Sequence, residues 1–341
     1  MMQARNPFLT LAAAVFSMAG VASAQANRAP GTGEIHIERV RGHIYMLSGA
    51  GGNITLSIGP DGVLLVDSGL ANMSEKVLAA IEKLNQDLNR EGQPVTAIAP
   101  PKPIRFIINT HVHPDHTGGN EVIAKAGKTF TGGNVAGDIA DAAEGAAIIA
   151  HEAVLTRISA ANGGQPAMPE GDWPTQTFLG NRMTLSHSFN GDSVIITHQP
   201  AAHTDGDSFV YFRGPDVVST GDIFTTTGYP FIDLNRGGSI QGEIDALNNL
   251  LDLMVPDFRT EGGTLAIPGH GRICDIADVA YYRDMVTIIR DRILDMIKHD
   301  MTLDQVKAAK PTADWDPRYG SGDRFVEAVY RSLTQKPGEK K

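Results

Sequence analysis

Thr110-His111-Val112-His113-Pro114-Asp115-His116 comes directly after the apolar run Ile104 to Ile108. That run is bounded upstream by the Pro-rich connection Pro94 to Pro103 and is too short for a helix, so it reads as a buried strand. The histidine stretch therefore sits on a loop at the strand's end. His111 and His113 are two apart in extended chain and point to one side, where they can hold one metal ion together. Pro114 then bends the chain and turns Asp115 and His116 toward a second ion nearby. Four ligand-type side chains within six residues point to a metal centre rather than to scattered surface histidines.

Upstream of this loop the chain is rich in strands. Ile35 to Val40 alternates, His43 to Leu47 and Asn53 to Ile58 follow, and Gly49 to Gly52 is a turn. Gly59-Pro60-Asp61-Gly62 is a further turn leading into the buried strand Val63 to Val66, which ends at Asp67. Ser74 to Asn89 has helical spacing, with Val77, Ile81, Leu84 and Leu88 on one face and Ser74 as its cap. Gly118 to Ala126 is also helical in pattern. This strand–helix rhythm predicts an α/β architecture with ligands on the loops after strands.

Downstream, Ala136 to Ala161 is Ala-rich and reads as helix, and Gly163 to Pro174 reads as loop. Together they form an elaboration over the site, with Trp173 as a candidate apolar wall. Strands are expected at Met183 to Phe189, Ser193 to His198, Ser208 to Phe212, Val217 to Ser219 and Thr264 to Ile267. A helix is expected over Ile240 to Leu253, and the chain beyond residue 275 is helical, most clearly at Ala277 to His299.

His-x-His-x-Asp-His resembles the defining motif of the metallo-β-lactamase superfamily, and further pieces fall in that superfamily's order. Val66-Asp67-Ser68-Gly69, Ala202-His203-Thr204, Thr220-Gly221-Asp222 and Pro268-Gly269-His270-Gly271 resemble its early Asp segment, second histidine segment, bridging-acid segment and last histidine loop. The resemblance runs from about Ile35 to Cys274 and implies an αββα sandwich whose two similar halves offer ligands to one edge. Residue by residue, it implies that His111, His113 and His203 hold a first metal. It gives Asp115, His116 and His270 to a second, with Asp222 bridging the two. Asp67 then steadies the loop without touching metal. The remaining histidines lack ligand-type neighbours; His198, five residues before His203, is the one to watch.

Imidazole and carboxylate without thiolate suit two Zn²⁺ ions, and iron or manganese are tolerated. Two such ions roughly 3.5–4 Å apart bridge a water and lower its pKa toward neutrality. Hydroxide would then attack a carbonyl or phosphoryl centre, with Asp115 orienting it and passing its proton onward. β-Lactamases of the superfamily usually lack a bridging Asp, so Asp222 favours cleavage of an ester, lactone or thioester over a β-lactam amide. Flavin-partnered diiron members carry Glu where this chain has His113. A mononuclear-iron persulfide dioxygenase shares the histidine motif, whereas a non-catalytic zinc module would have closed coordination. Substrate contacts are expected on Phe224 to Ser239, from Tyr229, Phe231, Asn235 and Arg236, with Tyr229 or Asn235 as an oxyanion donor.

The chain of 341 residues carries a net charge of −10 and no basic run before Lys336 to Lys341, which speaks against nucleic acid as a partner and against nuclease activity. Arg5, the apolar stretch Phe8 to Val21 and Ala22-Ser23-Ala24 read as a secretion signal over residues 1–24, placing the mature chain in the periplasm or outside the cell without stable membrane insertion. Residues 25–33 read as a loose leader, 34–275 as the metallo-β-lactamase domain and 276–341 as a helical extension. The partner implied is a small-molecule substrate. Cys274 is the only cysteine, so an intramolecular disulfide is excluded and the thiol reads as a small buried hydrophobe.

Overall fold

A computed structural model describes residues 33–90, 102–129, 145–161, 167–185, 188–255 and 262–335. The expected secretion signal, most of the leader, the Pro-rich connection as far as residue 101, the stretch 136–144 and the Lys-rich tail lie outside the described residues.

The first half begins with four antiparallel strands: β1 (His36–Arg41), β2 (Ile44–Ser48), β3 (Ile54–Gly59) and β4 (Gly62–Val66). Helix α1 (Ser74–Arg90) then crosses to β5 (Ile104–Ile108), which pairs in parallel with β4. Two short helices follow, α2 (Pro114–Thr117) and α3 (Asn120–Lys125). Strand β6 (Ala147–His151), helix α4 (Glu152–Ile158) and β7 (Gln176–Phe178) complete a seven-stranded sheet in sequential order.

The second half is a five-stranded sheet of β8 (Arg182–Thr184), β9 (Val194–His198), β10 (Ser208–Phe212), β11 (Val217–Ser219) and β12 (Leu265–Ile267). Helix α5 (Ile240–Leu253) lies between β11 and β12 in sequence. After β12 come α6 (Ile276–Lys298), α7 (Leu303–Ala308), α8 (Asp316–Tyr319) and α9 (Asp323–Thr334).

The apolar runs are continuous because both faces of each sheet are covered. Leu64, Val66, Phe106 and Ile108 point between the sheets and meet Ile196, Val210, Phe212 and Val217 of the opposite half. The alternate residues Val63, Leu65 and Ile107 face α1 and α3 through Val77, Ile81 and Ile123. On the far side, Phe209 and Val218 pack on Leu247 and Leu250 of α5, and on Tyr282, Met285 and Ile289 of α6. The result is the expected αββα sandwich. Phe325 of α9 is buried in that same outer core and Trp315 packs against it, so the helical extension thickens this layer.

Two readings are corrected. Ala147 to His151, expected as helix, is a strand: Ile107 pairs with Ile148 and Ile149 with Gln176, so sheet pairing on both sides overrides the helix preference of its alanines. Among the described residues of the expected strand Met183 to Phe189, Met183 and Thr184 are in strand, which begins at Arg182, and β7 was not expected, since three residues are too few to show a period. Helix also starts earlier than Gly118, because Pro114 at its first position is pre-set for helix.

The sheet registers decide where the site falls. Val66 pairs with Ile108 and Ser219 with Ile267, so the ends of β4 and β5 emerge together, as do the ends of β11 and β12. The backbone N–H of Ser208 donates to the carbonyl of Thr110 across the sandwich, at 2.8 Å, drawing both ends to one edge.

Candidate metal centre

The loop after β5 is shaped by one buried carboxylate. Asp67 accepts from the backbone N–H of Thr110 (2.7 Å) with one oxygen. Its other oxygen accepts from the Thr110 hydroxyl (2.8 Å) and meets His116 Nδ1 at 2.7 Å. Thr110 Oγ1 also lies 3.0 Å from His111 Nδ1. Engaging the Nδ1 atoms leaves the Nε2 atoms of His111 and His116 pointing inward, the arrangement by which an outer partner fixes a ligand histidine. Asp67 sits at φ 65°, costly for a residue with a Cβ, and four polar contacts hold it there, including its own N–H to Ile108 O.

His113 is fixed from the other half. Its Nε2 lies 3.0 Å from Asp233 Oδ2, which also accepts from the Arg236 guanidinium at 2.8 Å. His203 Nδ1 donates to the carbonyl of Phe231. The His270 loop is held by Asn53, whose side-chain amide donates to Pro268 O (2.9 Å) and Gly271 O (3.0 Å) and whose N–H donates to Gly269 O (2.7 Å). Gly269 must be glycine, because a Cβ there would fall 1.9 Å from Asp222 Oδ1.

Seven side chains converge in two groups, His111, His113, His203 and Asp222 in one and Asp115, His116 and His270 in the other, each with ligand atoms within 4.8 Å of one another. Asp222 reaches both: its Oδ1 lies 3.2 Å from His116 Nε2 and 3.5 Å from His270 Nε2, and its Oδ2 lies 3.9 Å from His203 Nε2. His111 Nε2, His116 Nε2 and Asp222 Oδ1 are buried and make no well-aligned hydrogen bond among the described residues. Buried polar atoms without partners carry a desolvation cost, and their convergence fits a cation. The three histidines of the first group are buried, whereas Asp115 and His270 keep 31% and 29% of their side chains exposed and form the mouth.

The electrostatics agree. Burial disfavours a charged His270, but Asp222 and the bond to Asp115 outweigh it and lift the imidazole to about 9. Burial likewise opposes charge on His116, yet Asp222 and Asp67 raise it well above the usual imidazole range. Burial resists ionisation of Asp115, but its hydrogen bond to His270 and the nearby His116 bring the carboxyl down to about 2. Burial and the neighbouring imidazoles instead push His111 well below the usual imidazole range, and burial takes His203 down to about 4, so the two groups differ in their charge.

The residues expected to bind substrate are not all at the mouth. Tyr229 turns away: its hydroxyl donates to Asp316 Oδ1 (2.9 Å), with Thr312 O also within reach at 3.1 Å, and its ring stacks on Phe325. Its hydroxyl is thus taken up by the helical extension. Arg236 is paired with Asp233, Asn235 is exposed, and Trp173 packs beside Val112, Val154 and Ile158 beneath the loop. Sequence reading missed Thr110, Asn53 and Asp233 as supports. Thr110 stands beside the motif, but nothing in sequence marks the other two, which act across 120 and 215 or more residues.

A family model described as the metallo-beta-lactamase superfamily matches residues 47–270. The chain belongs to that superfamily. The match ends at His270, so the superfamily core covers both groups of ligand-type side chains and leaves the last helices outside. No protein of curated function matches the chain by sequence. By structure, it is similar to the stereoselective inverting sec-alkylsulfatase Pisa1 from Pseudomonas sp., with TM-score 0.59 and 19% identity over 89% of this chain and 51% of that one. The DIM-1 metallo-beta-lactamase gives TM-score 0.51 and 15% identity, covering 75% of this chain and 98% of that one. A metallo-beta-lactamase from Pontibacter korlensis gives 0.51 and 14%, covering 74% and 99%. This chain thus spans about half the alkylsulfatase and nearly the whole length of the lactamases. At these identities the likeness is one of fold.

Proposed function

We propose that this superfamily member is an exported hydrolase of the Asp-bridged dinuclear branch that cleaves an ester, lactone or thioester bond. The observation that carries the reading is that Asp222 presents one carboxylate oxygen to each of two adjacent groups of ligand-type side chains. His111, His113 and His203 would hold one Zn²⁺, Asp115, His116 and His270 the other, with Asp222 between them. Bound there, the cations supply the Lewis acidity that lowers the pKa of a water and polarises the oxygen of the scissile bond.

The chain's own residues do the rest. Asp115 is ionised and partly exposed at the mouth, placed to orient the attacking water and take its proton. Asp67 and Asp233 fix the imidazoles whose second nitrogens they hold, so the site is ordered before substrate arrives. Export is supported by Arg5, the apolar Phe8 to Val21 and Ala22-Ser23-Ala24, and no described helix is long and apolar enough to cross a membrane.

The test is turnover of a chromogenic cephalosporin, a p-nitrophenyl ester, a lactone and a thioester by the zinc-loaded chain. We expect kcat/KM of about 10⁴ M⁻¹s⁻¹ or more for one of the last three, with the cephalosporin orders of magnitude slower. The reverse ranking would make it a β-lactamase. Asp115→Asn, assayed at zinc concentrations that fill both positions, should lower kcat by about 10²–10⁴-fold. Retained activity would remove Asp115 from its role, and fewer than two ions per chain would overturn the dinuclear site.

A further inference from the structure

We propose that Phe231 sets the specificity of this centre by offering its ring to an apolar acyl or aryl group of the substrate, an inference that rests on the hydrolase reading. Phe231 is 60% exposed, whereas the other phenylalanines among the described residues are at most 8% exposed. Its ring stands beside the first group of ligand-type side chains, with centroids 5.8 Å from His113 and 5.7 Å from His203. Leu179 is also exposed, but Phe231 is set apart by its contact with His113 and His203, where an exposed ring offers apolar contact to whatever enters the centre.

The chain around it explains why the ring cannot turn inward. The carbonyl of Phe231 accepts from His203 Nδ1, Ile232 is buried in the outer core, and the N–H of Asp233 donates to His203 O at 2.9 Å. Asp233 in turn holds His113. The residue is thus clamped by main-chain contacts to the site it borders, and its side chain is free for another task.

The neighbouring charge points to an uncharged group on this side. Arg236, the basic residue nearest in sequence, has its guanidinium paired with Asp233. No other Lys or Arg lies within Phe224 to Ser239. A substrate moiety over Phe231 would be recognised by apolar contact, and contacts of methylene size discriminate by roughly 10-fold or more.

Because the bond to His203 uses the main chain, Phe231→Ala removes the ring and spares the anchor. The zinc-loaded full chain and this variant are compared on p-nitrophenyl acetate and p-nitrophenyl hexanoate, and on equilibrium binding of acetate and phenylacetate. We expect KM for the hexanoate and Kd for phenylacetate to rise about 10-fold in the variant, the acetate values to stay within about two-fold, and Phe231→Leu to recover most of the loss. Equal changes for both members of each pair, or none, would overturn the proposal. If the native chain cleaves neither ester, the ester reading fails, while the phenylacetate-to-acetate ratio still decides the role of Phe231. If zinc content falls in the alanine variant, Phe231→Leu against Phe231→Asn makes the same comparison at similar side-chain size.

Discussion

The two halves of the sandwich reach the same edge by different means. The first half places His111, His113, Asp115 and His116 on one loop after β5, all within six residues. The second half places His203, Asp222 and His270 on three loops, after β9, β11 and β12. A single loop can be shaped by one residue, and Asp67 does so through Thr110 and His116. Three loops need the sheet to align them, and the parallel register of Ser219 with Ile267 brings the Asp222 and His270 segments side by side. Local order thus supplies three imidazoles and topological order two, on unequal foundations. Each half also secures the other, since Asn53 grips the His270 loop and Asp233 grips His113.

If the first half depends on one carboxylate, Asp67→Ala should be the most damaging of the supporting substitutions. It leaves His116 Nδ1 and the Thr110 N–H buried without partners, for which about 3 kcal/mol or more of stability is expected to be lost. Because Asp67 touches His116 directly and His111 through Thr110, affinity should fall at both metal positions, by about 100-fold. Zinc titration against a chelator together with thermal unfolding would show it. Undiminished occupancy at both positions would mean that the loop needs no such keystone.

The cross-grips should matter less and should separate the two positions. Asp233→Ala is expected to weaken the His111–His113–His203 position and Asn53→Ala the one with His270, each by about 10-fold in metal affinity. Cobalt substitution read by absorption, with stoichiometry followed on titration, distinguishes them. Should each variant weaken both positions alike, the centre would be one coupled unit and the contrast between its halves would lose its meaning.

This asymmetry also governs what could be read from sequence. The first loop announces itself because its ligand-type residues are neighbours, and β4, β5, β10 and β11 are legible because runs such as Val63 to Val66 and Ser208 to Phe212 are short, apolar and bounded by breakers. His203, Asp222 and His270 gain meaning only from their order after that loop. Strand β6 was lost to its alanines, since nothing local says that Ile148 has a partner on each side. Tyr229 reads as a donor from its place after Asp222, but Asp316, which takes its hydroxyl, is 87 residues away. Supports that act across the sandwich are tertiary facts.

The smallest effect is expected where the halves meet away from the metal edge. His151, at the end of β6, stacks on His198, at the end of β9, with ring centroids 3.6 Å apart and planes 9° apart. Burial and then the facing His198 lower the pKa of His151, with Glu152 and Asp205 opposing in part. The folded chain therefore resists a proton that the unfolded chain accepts near its usual value of about 6.5. The contribution is fully present above that value and is lost as pH falls through it toward the folded pKa. His151 Nδ1 also accepts from the N–H of Ala153 at the start of α4, so the variant must keep an acceptor. His151→Asn does, because asparagine caps helices well. The drop in unfolding temperature between pH 7.5 and pH 5.5 should be smaller in this variant than in the native chain. All other titratable groups are common to both proteins and cancel in the comparison. An unchanged drop would show that the seam joins the halves by shape alone, leaving the metal edge as the place where they are held together by charge.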